Sequence, residues 1–145
     1  MRIMIIGADG QLGTDLVRTL DGELAPLTHA DVEISDRSSV DAAMLRHKPE
    51  LVINTAAYHQ VDLAEDDPAP AFATNIIGAR NLALACAAND VDLFHVSTDY
   101  VFGTDESHDE PYRETDTPGP VSTYGESKLA GEQAVLNGCQ RHFVV

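Results

Sequence analysis

Ile3-Met4-Ile5-Ile6-Gly7-Ala8-Asp9-Gly10-Gln11-Leu12-Gly13 is the segment from which the fold can be read. Its first four residues form an apolar run that is too short for a helix and suits a buried parallel strand. Three glycines follow at intervals of three residues. The next apolar residues recur at helical spacing and are Leu12, Leu16, Val17 and Leu20. The segment therefore predicts a strand, a glycine-rich turn and a helix, in that order.

A turn of this kind can hold a phosphate group. Glycine lets the backbone turn tightly and lets a phosphate approach it closely. The helix that follows offers free N–H groups and the positive end of its dipole. The spacing is Gly-x-x-Gly-x-x-Gly rather than the Gly-x-Gly-x-x-Gly of the standard dinucleotide fingerprint. An ordinary strand-to-helix turn is the alternative, and the rest of the chain has to discriminate between the two.

The rest of the chain continues the alternation of strands and helices. Short apolar segments predict strands at residues 23–28, 51–54 and 91–96, and one that begins at residue 142. Helical spacing and end signals, with Ser35 or Asp36 as a cap and Gly138 as a stop, predict helices at 37–47, 68–88 and 123–137. This pattern predicts an α/β fold: a Rossmann-like, doubly wound parallel sheet with helices on both faces, in one domain over residues 1–145.

Ligands of such a sheet bind beyond the carboxyl ends of its strands. In this chain those ends are small or polar, at residues 7–13, 28–29, 54–58 and 97–102. We therefore expect the binding site at this edge of the sheet.

Composition restricts the classes of partner. The 145 residues suffice for one domain with a core, and 43% of them are apolar. A net charge of −15 disfavours nucleic acid and anionic membranes. Uninterrupted apolar runs are only a few residues long, so no segment is expected to span a bilayer. Cys86 and Cys139 have no ligand spacing and no signal peptide is recognisable, which predicts reduced thiols and a cytoplasmic location. The acidic excess suits a protein solvated in high salt, and equally an ordinary acidic protein.

Tyr124 and Lys128 are four residues apart in a predicted helix, so they share one face. The pKa of a free phenol is about 10, and a nearby ammonium is expected to lower it. Such a Tyr can give a proton to a carbonyl oxygen as hydride reaches the carbon. Ser97 and Thr98 directly follow the fourth strand, where a hydroxyl can donate to the same carbonyl. The alternatives are an incidental Tyr and Lys on a surface helix, and a cap or turn at residues 97–98, although residues 99–102 are not expected to continue as a helix.

Three segments carry a family resemblance: Ser97-Thr98-Asp99-Tyr100-Val101-Phe102, Pro111-Tyr112-Arg113-Glu114 and Tyr124-Gly125-Glu126-Ser127-Lys128-Leu129-Ala130-Gly131-Glu132. Further agreement comes from Asn54-Thr55-Ala56-Ala57-Tyr58, from Val61, Asp62, Ala64 and Glu65, and from Asn75, Gly78, Arg80 and Asn81. Together they resemble the extended short-chain dehydrogenase/reductases, and within them the dTDP-4-dehydrorhamnose reductases. The resemblance covers almost the whole chain. It implies that NADPH or NADH reduces the 4-keto group of a dTDP-6-deoxyhexulose, a nucleotide sugar, to give dTDP-L-rhamnose.

The resemblance also implies roles by position. Thr98 would bind the carbonyl, Tyr124 would be the acid, and Lys128 would tune Tyr124 and hold the nicotinamide ribose. Other cofactor contacts would come from Gly7, Gly10, Gln11, Leu12, Thr28, His29, Ala56, Ala57, Tyr58, Val96 and Ser97. The substrate sugar would face Asp99 and Tyr100. Because the second strand ends in Thr28-His29 rather than an acid, we expect NADPH to be accepted at least as well as NADH, although Asp31 and Glu33 lie near that point.

The chain departs from the family pattern at three places. His59-Gln60 stands where Thr-Ala is common, and His29 stands where a basic residue is common. The family continues beyond the equivalent of Val145 into a substrate domain, so we expect this chain to be the cofactor-binding domain of a longer reductase. One alternative is another NAD(P)-dependent 4-keto nucleotide-sugar reductase or epimerase. The other is a non-catalytic dinucleotide-binding module that resembles the regulatory subunit of methionine adenosyltransferase.

Three weaker signals complete the sequence-based predictions. The six histidines show no metal-ligand spacing, and no metal site is predicted. The acidic loop could hold a hard cation, but a solvated loop is the simpler interpretation; its acids are Asp105, Glu106, Asp109 and Glu110. The alanine-rich helix at 68–88 is expected to pack in the core, and its alternative is pairing across a homodimer.

Overall fold

The computed structural model describes residues 1–104 and 109–145. Its centre is one parallel sheet of five strands in the order β2-β1-β3-β4-β5. The strands are β1 (Arg2–Ile6), β2 (Glu23–Leu27), β3 (Leu51–Asn54), β4 (Asp92–His95) and β5 (His142–Val144). The predicted strands and their parallel arrangement are therefore confirmed.

In residues 1–104 and 109–145, six α-helices connect or follow the strands: α1 (Gln11–Thr19), α2 (Arg37–His47), α3 (Val61–Asp66), α4 (Ala69–Phe72), α5 (Ala79–Ala88) and α6 (Thr123–Gly138). A π-helical segment, Ala73–Gly78, joins α4 to α5, so that Ala69–Ala88 runs as one helix. The short helix α3 was not predicted, because six residues are too few to show a helical apolar period. A 3₁₀ turn, Asp99–Val101, follows β4.

The core has one part on each face of the sheet. On one face, Ile3, Ile5 and Ile53 pack against the apolar side of α1. On the other face, the alternate strand residues, including Met4 and Val52, pack against α2, α5 and α6. Helices thus cover both faces, which confirms the doubly wound α/β fold. Leu12 is an exception to the predicted apolar stripe. It is 45% exposed, because the first turn of α1 lies beyond the carboxyl end of β1.

Three local features explain how the sequence accommodates this topology. Pro26 is tolerated in β2 because β2 is an edge strand, where the missing N–H leaves no unpaired acceptor inside the sheet. Asp36 caps α2 by accepting a hydrogen bond from the Ser38 N–H at 2.8 Å. Gly138, predicted to stop α6, is instead its last helical residue. A side chain there would crowd Ala83 of α5 at 3.0 Å, so Gly138 serves helix packing.

Ala69–Ala88 also bears on the predicted absence of a membrane span. The helix has 20 residues and a mean hydropathy of 1.2, so by length and composition it could cross a membrane. The sequence prediction considered only uninterrupted apolar runs and missed it. Half of that segment, 50%, is buried inside the fold, and the core helix of a globular domain meets the same criteria. One such helix is weak evidence for a membrane.

The loop between Gly103 and Pro120 is closed by an antiparallel bridge between these two residues. Asp105, Glu106 and His108, which belong to the predicted acidic loop, lie outside the described residues. In residues 1–104 and 109–145, no group of three or more His, Cys, Asp or Glu side chains could hold a metal ion.

Candidate active site

A cleft of about 810 Å³ opens at the carboxyl ends of β1, β2 and β3. Eight residues of the predicted cofactor site line it: Gly7, Gly10, Gln11, Thr28, His29, Ala56, Ala57 and Tyr58. The lining also includes Asp9, Glu33, His59 and Thr74, which the sequence did not single out as contacts. Leu12, Val96, Ser97, Tyr124 and Lys128 do not line this cleft. Val96 and Ser97 follow the end of β4, and Tyr124 and Lys128 lie on α6. They are away from the glycine turn after β1 because β3 lies between β1 and β4.

The three glycines of the turn have different functions in the fold. Gly7 has a positive φ of 79°, and a Cβ there would lie 2.8 Å from the backbone nitrogen of Ala56. A Cβ on Gly13 would overlap the carbonyl oxygen of Gly7 and come within 2.8 Å of the Ala8 Cα. A Cβ on Gly10 would meet only the Gly7 carbonyl oxygen, at 3.3 Å. Gly7 and Gly13 therefore permit close backbone packing, whereas a Cβ at Gly10 would need only a small shift of one backbone oxygen, and Gly10 lines the cleft.

Two acids follow the end of β2, and each accepts hydrogen bonds from a neighbouring residue of the chain. The Asp31 carboxylate accepts hydrogen bonds from the Thr28 N–H at 2.9 Å and from its hydroxyl at 2.8 Å, and these bonds lower the pKa of Asp31. The Glu33 carboxylate accepts from the hydroxyl and N–H of Ser35, which lower the pKa of Glu33. His29 is exposed and lies 3.5 Å from the other oxygen of Glu33. Neither acid is free of intramolecular partners at this edge.

The segment after β3 is fixed by two asparagines. The Ala56 N–H donates to Asn54 Oδ1 at 3.2 Å. Asn75, in the π-helical segment, accepts from the Tyr58 N–H at 2.9 Å and donates to the Tyr58 carbonyl oxygen at 3.1 Å. A π-helical turn inside an α-helix is frequent at functional sites. Here it directs one side chain onto the wall of the cleft.

The second group of predicted residues gathers where α6 meets the end of β4. Ser122 caps α6 by accepting from the Gly125 N–H at 3.0 Å. Tyr124 and Lys128 are buried on the inner face of the helix, 9% and 2% exposed. Lys128 Nζ donates to the carbonyl oxygen of Val96 at 2.7 Å. The Thr98 hydroxyl lies close enough to the phenol of Tyr124 to act on its pKa. The three predicted catalytic residues are therefore neighbours.

Burial sets the titration of this group. Desolvation raises the pKa of Tyr124, and the nearby Thr98 hydroxyl opposes that change without reversing it. The expectation that Lys128 would lower the pKa of Tyr124 is therefore wrong: burial of the phenol sets the direction. Desolvation also lowers the pKa of Lys128 to about 8, while the negative charge of Glu132 acts to raise it. At neutral pH the phenol holds its proton and Lys128 is mostly charged.

Glu132 is a member of this site to which the sequence assigned no role. It follows Lys128 by one helical turn, and its carboxylate accepts a short hydrogen bond from the Ser97 hydroxyl. Two successive residues after β4 are thus hydrogen-bonded to one face of α6, in the pairs Val96–Lys128 and Ser97–Glu132, and the next residue, Thr98, lies beside Tyr124 of the same face. The signal in the sequence was the four-residue spacing of Tyr124, Lys128 and Glu132.

Thr98 also caps the turn that carries the two predicted substrate residues. Its hydroxyl oxygen accepts from the Tyr100 N–H at 3.2 Å, so a 3₁₀ turn forms where no helical continuation was expected. Asp99 begins this turn and Tyr100 is 49% exposed. The Tyr100 ring meets the Tyr124 ring edge-on, with centroids 5.6 Å apart. The turn therefore holds Asp99 and Tyr100 beside the phenol.

A comparison with models of protein families identifies the family of this chain. The family model described as the RmlD substrate binding domain matches residues 1–145. The chain belongs to this family. Among its relatives, the dTDP-4-dehydrorhamnose reductase of Mycolicibacterium smegmatis is 46% identical over 99% of this chain and 44% of its own length. The dTDP-4-keto-6-deoxy-D-glucose reductase of Streptomyces niveus is 42% identical over 94% of this chain and 48% of its own length. The chain spans about half the length of the curated relatives it matches.

Solved structures agree with the family assignment. The dTDP-4-dehydrorhamnose reductase of Bacillus anthracis, solved in complex with NADP, has a TM-score of 0.94 and 38% identity, covering 99% of this chain and 51% of that chain. The UDP-glucose 4-epimerase of Thermus thermophilus, in complex with NAD, has a TM-score of 0.79 and 28% identity, covering 94% of this chain and 50% of that chain. The resemblance drawn from the sequence motifs is confirmed.

Within this member of the RmlD family, Asn75 joins the two halves of the site. Besides holding Tyr58, its Nδ2 donates to the Ser127 hydroxyl at 2.8 Å, and that hydroxyl donates to the Tyr124 carbonyl oxygen at 2.7 Å. A Cβ on Gly131 would overlap the Asn75 carbonyl oxygen, so Gly131 lets α6 approach the π-helical segment. The sequence offered Asn75 and Gly131 only as parts of the resemblance, because their contacts are between distant segments.

Proposed function

We propose that this chain is the cofactor-binding part of an NADPH-dependent reductase that converts the 4-keto group of a dTDP-6-deoxyhexulose to the alcohol of dTDP-L-rhamnose. The observation that carries the proposal is the meeting of Thr98, Tyr124 and Lys128 at the strand edge that also bears the glycine-lined cleft. The names of the relatives at 42–46% identity supply the substrate class. Because the chain covers about half of those relatives, the activity is a proposal for the longer reductase.

The cleft fits a dinucleotide. Gly10 leaves space for a pyrophosphate beside Gly7, Gln11 and the N-terminus of α1. Leu12 does not line the cleft as the structure has it, and its contact with the pyrophosphate stays a prediction from the resemblance. Thr28 and His29 would meet the adenosine ribose, and Ala56, Ala57 and Tyr58 would form the opposite wall. Three strand spacings, about 14 Å, separate the end of β2 from that of β4. A dinucleotide is long enough to extend to Val96 and Ser97, and there Tyr124 and Lys128 would meet the nicotinamide ribose.

When bound, the nicotinamide supplies the hydride that reduces the C4 carbon. The Thr98 hydroxyl would donate a hydrogen bond to the carbonyl oxygen. Tyr124 would give its phenolic proton to that oxygen, leaving a phenolate that is reprotonated from solvent. The raised pKa of Tyr124 keeps this proton in place at neutral pH before reaction. The Lys128 ammonium would stabilise the phenolate as it forms, and Asp99 and Tyr100 would face the sugar.

The test is NADPH binding by this chain, measured by titration calorimetry. The unaltered chain is expected to bind NADPH, and Gly10→Val is expected to abolish binding, because its side chain fills the space left for the pyrophosphate. Val121→Ala, at a residue that is 75% exposed and does not line the cleft, is the control and should bind normally. Undiminished NADPH binding by a folded Gly10→Val variant would reject this cleft as the cofactor site.

We further propose that NADPH is accepted at least as well as NADH. One oxygen of each acid, Asp31 Oδ2 and Glu33 Oε1, already accepts two hydrogen bonds, from Thr28 and Ser35 respectively, and Asp31 does not line the cleft. The related Bacillus anthracis reductase was solved with NADP. Titrations of both cofactors against the same chain decide the point. A tenfold or greater preference for NADH would show that one of these acids selects the cofactor.

A second candidate is a nucleotide-sugar epimerase of the same fold. It is favoured by the match to the Thermus thermophilus UDP-glucose 4-epimerase at a TM-score of 0.79. Product analysis of the longer protein distinguishes the two, because a reductase consumes NADPH stoichiometrically and an epimerase does not.

We also propose a cytoplasmic location with no nucleic-acid or membrane partner, consistent with the charge of −15 and the free thiols of Cys86 and Cys139. A homodimer is the remaining partner proposal and is tested by sedimentation.

A further inference from the structure

His95 is a buried polar residue that the proposed reaction does not use. It is the last residue of β4 and is 2% exposed. Its partner in the neighbouring strand is Asn54, the last residue of β3, which is 1% exposed. Both side chains point to the sheet face that α5 and α6 cover, since they follow Leu93 and Val52 by two residues. The two residues form a buried polar pair below the strand edge.

The hydrogen bonds around this pair determine which imidazole nitrogen carries the proton. The Ala56 N–H donates to Asn54 Oδ1 at 3.2 Å, which fixes the orientation of the Asn54 amide. The Asn54 Nδ2 group therefore faces His95 Nδ1, at 3.0 Å, and donates to it. Since Nδ1 accepts, the proton of a neutral imidazole is on Nε2. In the part of the chain that the structure describes, Nε2 has no hydrogen-bond partner.

The surroundings keep the imidazole neutral. Burial and the positive charge of Lys128 lower the pKa of His95 to about 3. A protonated ring would turn Nδ1 into a donor facing the NH₂ of Asn54. The Asn54 amide could relieve that conflict only by rotating, and rotation would remove its acceptor from the Ala56 N–H. The charge state of His95 and the position of Ala56 are thus coupled through one side chain.

We propose that neutral His95 is a positioning residue for the cofactor cleft, which it shapes by orienting the Asn54 amide that holds Ala56. The inference rests on the proposed function, because it concerns the same cleft. Ala56 lines that cleft, and its backbone nitrogen lies where a Cβ on Gly7 would be only 2.8 Å away. A displaced Ala56 therefore moves toward or away from the glycine turn that would hold the pyrophosphate.

A purely structural residue at this site would be chemically simpler. An apolar side chain would fill the space between β3 and the covering helices without leaving a buried N–H unpaired. The imidazole instead supplies a single acceptor at Nδ1, where Asn54 needs it. An unsatisfied buried polar atom in a folded protein calls for an explanation. Orientation of Asn54 explains why the ring is retained despite its unpaired nitrogen.

The first experiment reads the tautomer directly in the unaltered chain. Nitrogen NMR of the imidazole is expected to show an unprotonated Nδ1 and a protonated Nε2 for His95, unchanged between pH 5 and pH 8. A proton on Nδ1, or a charged ring in this range, would overturn the inference. This measurement requires neither cofactor nor variant, so it stands even where a substitution prevents folding.

The second experiment is a double-mutant cycle on NADPH affinity. His95→Phe removes the acceptor and Asn54→Ala removes the contact to Ala56, and each is expected to raise the NADPH dissociation constant about five- to tenfold. The double variant should bind NADPH as tightly as the single variant that binds it less tightly. Both changes break the same chain of contacts, so their effects should not add. Val135→Ala, at a buried core position away from the cleft, should lower thermal stability without changing NADPH affinity.

The outcomes separate this inference from the proposed function. Failure of the unaltered chain to bind NADPH would overturn the proposed function and this inference with it. Binding by the unaltered chain and unchanged affinity in His95→Phe would overturn only the role of His95. Additive losses in the double variant would also overturn it, because they would mean that His95 and Asn54 act on the cleft independently.

Discussion

The glycine-lined cleft and the group of side chains around Tyr124 lie at the same edge of the sheet but are built in different ways. In the cleft, backbones pack so closely that Gly7 and Gly13 have no space for a Cβ. Around Tyr124, side chains of α6 bind the segment after β4 through hydrogen bonds. The cleft is therefore vulnerable to added atoms, whereas the Tyr124 group is vulnerable to lost functional groups. The first kind of change affects folding, and the second affects chemistry.

The largest expected effect is on the chemical step. Tyr124→Phe keeps the ring and removes the proton, so in the longer reductase the reduction of the keto sugar should fall by roughly 10²–10⁴-fold. NADPH affinity and thermal stability should change little, because the ring still packs against Tyr100. Steady-state kinetics and calorimetry measure both. Tyr112→Phe, whose ring stacks on Phe102 at 4.4 Å, is the matched control and should retain the full rate. A Tyr124→Phe rate within a few-fold of the unaltered enzyme would assign the proton to another residue.

The second-largest effect is on stability and tests the close backbone packing of the glycine turn. Gly13→Ala places a Cβ against the Gly7 carbonyl oxygen, and overpacking of this kind should lower the free energy of unfolding by about 3 kcal/mol. Gly10→Ala is the control: Gly10 has an ordinary extended backbone, with φ of −72° and ψ of 171°, and should cost less than about 1 kcal/mol. Urea denaturation measures both. Equal losses in the two variants would mean that close packing at Gly13 is not what the turn requires.

The smallest effect concerns the charge beside Lys128. Since the pKa of Lys128 is about 8 and Glu132 acts to raise it, NADPH binding should weaken as pH rises through about 8 and the ammonium is lost. Glu132→Gln keeps an acceptor for Ser97 but removes the charge, so this loss should move to lower pH. Ser97→Ala keeps the charge and should leave the midpoint in place. Calorimetric titrations across the pH range compare the three chains, and a common midpoint would exclude an electrostatic role for Glu132.

The lowered pKa of Lys128 also makes the stability of the fold depend on pH. A lowered pKa means that the folded chain binds the Lys128 proton less tightly than the unfolded chain. The cost of burying the ammonium is therefore present below pH 8 and is relieved as pH rises toward the ordinary pKa of 10.5. The fold bears this cost at neutral pH, where the proposed function uses the charge.

Much of the fold could be predicted from local patterns. Ile3 to Ile6 is apolar because both faces of β1 are buried, and Asp36 followed by Ser38 is a recognisable helix cap. The spacing of Tyr124 and Lys128 predicted a shared helix face, and both are buried on the inner side of α6. Helix α3 was not predicted, because its six residues are too few to show a helical apolar period. These features depend on neighbours in the sequence, which is why the sequence reveals them.

The order of strands and helices could be inferred from local sequence patterns and is confirmed, while the binding site at the carboxyl ends of the strands and the roles of Thr98, Tyr124 and Lys128 stay predictions. The folded structure was needed to see that burial raises the pKa of Tyr124, that Glu132 binds Ser97, and that His95 lies 3.0 Å from the Asn54 amide. The physical reason is the range of each interaction. Apolar periods and caps act within one element, whereas desolvation and hydrogen bonds between strands depend on atoms that lie tens of residues apart along the chain and meet only after folding.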